Sequence, residues 1–140
     1  MTTKQYLGQI RKLNAIIKYR TEDLNKLREL AGSVSSPPFD KDKIVSSGGK
    51  NQLENKVTKI VDLERQLEAF VGLKYKIIEQ IESLESDEYN VLYLRYVKNM
   101  QFSEIYMQLN LKDIWSESRI YKAHKQGLED FEVKYGVTYL

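Results

Sequence analysis

The chain has 140 residues, enough for one domain or for a small domain with an elongated arm. Its 22 basic and 20 acidic side chains leave a net charge of +2, so no global field advertises a nucleic-acid partner. Without cysteine there is no disulfide framework or thiolate chemistry. The opening MTTKQYLGQIRK lacks the apolar core of a signal peptide, and no apolar run approaches a membrane span; a soluble, cytoplasmic protein is expected.

The first predicted helix runs from about Thr3 to Leu30. Tyr6, Ile10, Leu13, Ile17, Arg20, Leu24, Leu27 and Ala31 are spaced alternately four and three apart, a heptad seam with Arg20 as a polar intruder. Gly32 provides a helix stop. Residues 32–50, GSVSSPPFDKDKIVSSGGK, read as a connecting loop rich in Ser, Gly and Pro. Gly48-Gly49 is no phosphate cradle, since no strand precedes it and no GKS or GKT follows. Asp40 with Asp42, and Glu82 with Glu85, read as solvated charges.

The second helix is expected over about Asn51–Leu84. Its seam is Leu53, Val57, Ile60, Glu64, Leu67, Val71, Lys74, Ile78 and Ile81. A loop of this length lets the two helices fold back as an antiparallel coiled-coil hairpin over residues 1–85. The register then sets Ala31 level with Leu53, Leu27 with Val57, Leu24 with Ile60, and Arg20 with Glu64 as a charge pair. A second stripe, Leu63, Phe70, Ile77 and Leu84, widens the apolar arc beyond a two-helix seam. It predicts a homodimer, or burial of the stripe beneath the C-terminal region.

Residues 86–140 carry a different pattern. Ser86 can cap a helix, with Asp87 and Glu88 at the positive end of its dipole. Tyr89, Leu92, Tyr93, Tyr96 and Val97 follow the spacing of one buried face. A break at Lys98-Asn99 leads to a second short helix with Ile105 and Leu109. After Asn110 comes another break, and then a final helix with Ile120, Ala123, Gly127, Leu128 and Phe131 along one side. Three short helices with tight breaks predict a helix-turn-helix, so the expected fold class is all-α: a coiled-coil hairpin followed by a three-helix domain.

LRYV at Leu94–Val97, SEI at Ser103–Ile105 and SESRIYKAHKQGL at Ser116–Leu128 resemble the fourth region of sigma-70-type factors. They are more similar still to small phage and prophage proteins that carry such a C-terminus behind a coiled coil, several of them regulators of phage late transcription. The resemblance implies double-stranded DNA as partner, read through Glu117, Ser118, Arg119, Tyr121 and Lys122, with possible RNA polymerase contact. It also implies an Arg95–Glu104 pair holding the first two short helices together. The chain departs from the family by about four extra residues within Leu111–Trp115, roughly one helical turn. It also places an acid and an aromatic, Glu117 and Tyr121, where basic residues are common.

On the exposed side of the last helix, Arg119 and Lys122 are the candidates for base edges and Lys125 for phosphate. Tyr121 suits a sugar or a thymine methyl. Residues 86–140 hold 7 basic against 8 acidic side chains, net −1, which argues against tight autonomous DNA binding. His124 is the sole histidine and reads as a surface or phosphate-facing residue, with Trp115 as a cap on the inserted turn. No metal site, cofactor, small-molecule substrate or enzyme activity is expected. Two functions stay open: a DNA-binding transcription regulator, or an interaction module whose helix-turn-helix binds a protein.

Overall fold

A computed structural model describes residues 1–34 and 47–139; it is all-α, and no strand occurs among the described residues. Helix α1 spans Thr3–Val34, α2 Ser47–Glu82, α3 Ser86–Leu92, α4 Phe102–Leu109 and α5 Glu117–Tyr135. A π-turn, Tyr93–Val97, extends α3, and a short 3-10 turn, Gly136–Tyr139, follows α5. Thr2 starts α1 by a reciprocal cap: its amide donates to Gln5 Oε1 (2.8 Å) and its Oγ1 accepts from the Gln5 amide (3.1 Å).

The long helices outrun the sequence expectation. α1 continues through Gly32, because a glycine inside a helix weakens it by only about 0.5–1 kcal/mol. α2 already begins at Ser47, so Gly48-Gly49 lie in its first turn rather than in a loop. The remainder of the expected loop, 35–46 with Asp40 and Asp42, lies outside the described residues, as does the side chain of Leu53 expected beside Ala31.

The chain divides into two compact units, one of Met1–Asn14 with Leu73–Leu140 and one of Ala15–Gly72. The division does not fall at Ser86: the first turns of α1 and the last turns of α2 share a unit with the short helices. In that first unit Leu7, Ile10, Ile77, Ile81 and Phe131 are fully buried. The Tyr6 hydroxyl donates to Gln80 Oε1 (2.8 Å), and its ring lies 5.8 Å from that of Phe131. Ile77 and Leu84, half of the surplus stripe, are therefore covered by this chain itself.

α5 crosses α3 closely at Gly127. A Cβ there would sit 3.1 Å from Leu92 Cδ1 and 3.3 Å from Glu88 Cβ. Next to this crossing Glu88 is buried, and its Oε2 meets no donor. Burial, and then the neighbouring Asp130 carboxylate, push the Glu88 pKa up to about 7. Two carboxyl groups in contact are satisfied when Glu88 keeps its proton and shares it with Asp130, whose own pKa is lowered by that hydrogen bond.

The start of α3 differs from expectation. Glu85 occupies the N-cap in extended backbone and Ser86 is already helical. Asp87 in the first turn complements the dipole without a hydroxyl cap. The deepest face is Glu88, Val91 and Leu92, while Tyr89 and Tyr93 are half-buried with their rings 5.4 Å apart. The π-turn closes with Lys98 N to Tyr93 O (3.1 Å), and Asn99 then turns the chain with φ of 54°.

Arg95 and Glu104 do not pair. Arg95 Nη1 donates to Met100 O (2.9 Å) and its guanidinium lies 5.0 Å over the Phe102 ring. Glu104 Oε1 accepts from the Gln101 amide (3.1 Å), a first-turn cap on α4 that keeps the carboxylate on its own helix.

In the unit of Ala15–Gly72, Leu24 is buried, while Ile17, Arg20, Leu27, Ile60, Leu63, Leu67 and Phe70 are half-buried. Arg20 does not meet Glu64 either. It donates to Gln66, two residues further along α2, with its guanidinium 5.7 Å over Phe70. Glu64 instead binds Arg28 Nη2 (2.9 Å). The shift gives Arg20 an acceptor and a ring face together, whereas Glu64 offers an acceptor alone. Val57, expected level with Leu27, is exposed.

Candidate nucleic-acid interface

The approach to α5 is set by one amide side chain. Asn110 donates through Nδ2 to Tyr106 O (2.7 Å) and accepts at Oδ1 from the Trp115 amide (3.0 Å). The extra residues within Leu111–Trp115 thus form a closed loop and do not lengthen α4. Trp115 anchors that loop in a core cluster with Val91, Ile105, Ile120 and Ala123. Ser116 then caps α5, its Oγ accepting from the Arg119 amide (3.0 Å), as its sequence position predicts.

With Ile120, Ala123, Gly127 and Phe131 buried, the opposite side of α5 exposes Ser118, Tyr121, Lys122 and Lys125 at i, i+3, i+4 and i+7, one row along the helix. Glu117 is exposed in the first turn. Neither Lys122 nor Lys125 has an ion-pair partner among the described residues. The Tyr121 ring is braced 4.9 Å from Phe102 yet stays 55% exposed.

Arg119 leaves this row. Its Nε and Nη2 grip both Asp87 carboxylate oxygens at 2.9 Å. Nη1 donates to Ile114 O (3.3 Å), and the guanidinium lies 3.7 Å over Trp115. The bidentate bond holds the Asp87 carboxyl below its usual range. A guanidinium engaged on both edges and one face is a bracket between α3, the loop and α5, and it stands apart from the exposed row in which a base contact is expected.

His124 is likewise not phosphate-facing. Its Nε2 is 2.9 Å from the Tyr96 hydroxyl, its ring stacks on Tyr96, and Phe102 meets it edge-on at 5.1 Å. Burial first, and then the charges of Lys4 and Arg95, hold its pKa down to about 4, so the imidazole is neutral near pH 7. The influence of Lys4 exposes a contribution that sequence reasoning missed: the first turns of α1 bring cations to this unit. Met1–Asn14 contains Lys4, Arg11 and Lys12 and no acid, a signal present in the sequence.

Between α4 and α5 lies a hollow of about 290 Å³ walled by Phe102, Tyr106, Met107, Ile120 and Tyr121, with Glu117 its one charged residue. Nearby, Met107, Leu111 and Ile114 are 71%, 78% and 87% exposed. Among the described residues no cluster of His, Cys, Asp or Glu could hold a metal ion, and no helix is long and apolar enough to cross a membrane. Compared with known protein families, with curated proteins and with solved structures, the chain finds no match.

Proposed function

We propose that the chain is a DNA-binding transcription regulator of the phage type its C-terminal third resembles. In this reading α3, α4 and α5 act as a sigma-like helix-turn-helix behind an antiparallel coiled-coil hairpin. The protein works as a homodimer, with RNA polymerase as a second contact. The observation that carries the reading is the row Ser118, Tyr121, Lys122 and Lys125, which displays two cations without an ion-pair partner among the described residues, around a braced, exposed ring on a well-capped helix. With Arg119 bound to Asp87, base readout falls to Lys122 and Ser118, thymine methyl contact to Tyr121, and phosphate contact to Lys125.

The test is a duplex titration of the full chain at two salt concentrations. Lys122→Ala should reduce sequence preference by about 1–3 kcal/mol. Lys125→Ala should weaken all sequences alike and flatten the salt slope by about one unit. Asp87→Asn should also weaken binding, through loss of the bracket that orients α5.

The exposed Met107, Leu111 and Ile114 beside Glu117 favour a second reading, a module whose helix-turn-helix binds a protein such as RNA polymerase. That reading wins if neither lysine change alters binding to any DNA while either one disrupts a polymerase complex.

A further inference from the structure

A second hollow, open and of about 600 Å³, is walled by Gly8 and Arg11 of α1, by Arg95 and Asn99 around the π-turn, and by Gln101 and Phe102 where α4 begins. Two arginines line it and no acidic residue does. Like charges converging on a space without a counter-charge raise each other's energy, and an anion there relieves both. Arg95 is held in place by Met100 O and the Phe102 ring, which engages Nη1 and leaves other N–H donors free. Arg11 is exposed and forms no hydrogen bond or ion pair with any described residue. Glu104, the acid closest in sequence, turns its Oε1 to the Gln101 amide and is not in the wall.

A fixed guanidinium and a free one, with the side-chain amides of Asn99 and Gln101 in the same wall, offer the several N–H donors that a tetrahedral oxyanion accepts. Phe102 is common to both hollows and its ring touches Tyr121, so this site adjoins the exposed row of α5. We infer that the hollow formed by Arg11, Arg95, Asn99 and Gln101 binds phosphate, its source being the DNA backbone. The inference rests on the DNA reading for that source and on the two arginines for the site itself. It gives α1 a direct part in binding and supplies positive charge that residues 86–140 lack.

Two titrations of the full chain test it, each with the wild type and Arg11→Ala, an exposed helical position where alanine keeps the fold. In the first, duplex DNA is added over a range of salt. The variant should bind every sequence more weakly, with a salt slope smaller by about 0.9. In the second, inorganic phosphate is added against chloride of equal ionic strength, and backbone amide resonances are followed. Gly8, Asn99 and Gln101 should shift in the wild type and stay still in the variant. Phosphate shifts lost in Arg11→Ala, in a protein that binds no DNA, would keep the site, assign it to free phosphate and remove the DNA reading. DNA binding weakened by Lys125→Ala but untouched by Arg11→Ala, with no phosphate shifts, would overturn the inference and leave the DNA reading standing. Silence in both titrations would overturn both.

Discussion

α1 and α2 run through both units, and the same kind of seam fares differently in each. In the unit with the short helices, Leu7, Ile10, Ile77 and Ile81 are fully buried; in Ala15–Gly72 Leu24 is buried, Ile17, Leu27, Ile60 and Leu67 are half-buried and Val57 is exposed. Seam chemistry does not explain this, since both stretches are rich in Ile and Leu. What differs is the number of elements around them. Two helices cover one stripe of each other and leave the flanks of that stripe wet. A third layer, here α5 with Phe131, seals the flanks. Burial is a property of the neighbours a stripe acquires, and a heptad alone does not provide them.

The largest expected effect tests that contrast directly. Phe131→Ala should destabilise the first unit by about 3–5 kcal/mol, and Leu24→Ala in the other unit should do less, near 2. Chemical denaturation with hydrogen exchange resolved by residue would report both. An equal or reversed ranking would break the comparison.

Glycines sharpen it next. Gly127→Val forces a side chain against Leu92 and Glu88 and should lower stability by about 1–3 kcal/mol. Gly72 is also helical, but a Cβ there meets nothing within 4 Å. Gly72→Ala should therefore raise stability, by about 0.5–1 kcal/mol, measured as a midpoint shift.

The first unit should also carry most of the pH dependence. Glu88, with a folded pKa of about 7 against an ordinary 4.5, binds its proton more tightly when folded. Its contribution is complete below pH 4.5 and is lost as pH rises through 7. His124 acts in the opposite sense: with about 4 in place of 6.5, its contribution is complete above pH 6.5 and is lost as pH falls toward 4. Glu88→Gln should remove the loss on the alkaline side alone, stabilising by about 1–3 kcal/mol at pH 8 and little at pH 4.5. A variant whose stability differs from the wild type equally at both pH values would show that Glu88 does not hold its proton.

The smallest effect belongs to the other unit. Arg28 and Glu64 are about half exposed, so a double-mutant cycle should return a coupling below about 1 kcal/mol. A larger value would mean that this stretch is better shielded from water than its half-buried seam implies.

What the sequence made legible follows the range of the interaction. Local signals held: the heptad spacing of Tyr6, Ile10, Leu13 and Leu24, the Ser116 cap, and the buried side of α5 through Gly127 and Phe131. The all-α class follows from these. Signals that depend on distant partners did not hold. Nothing near Arg119 announces that Asp87 will take it, and Arg20 has an acid and an amide two residues apart to choose between. His124 looked solvated until Tyr96 and Phe102 closed on it. The share of α1 in the candidate site was visible as three cations without an acid, but its destination was not.

The π-turn at Tyr93–Val97 works as a phase shifter. An α-helix turns about 100° per residue, so the one residue a π-turn adds offsets every side chain after it by roughly that angle relative to those before. That offset moves Tyr96 and Val97 off the line that an unbroken helix would continue from Tyr89 and Leu92. It also lets Arg95 reach Met100 while Tyr96 meets His124. Removing one residue just before Tyr96 would move Val97 into the place of Tyr96, and His124 would lose its hydroxyl partner. Substitutions in this turn change what is displayed; a change of length rewrites the order in which it is displayed. Here spacing is the inherited information.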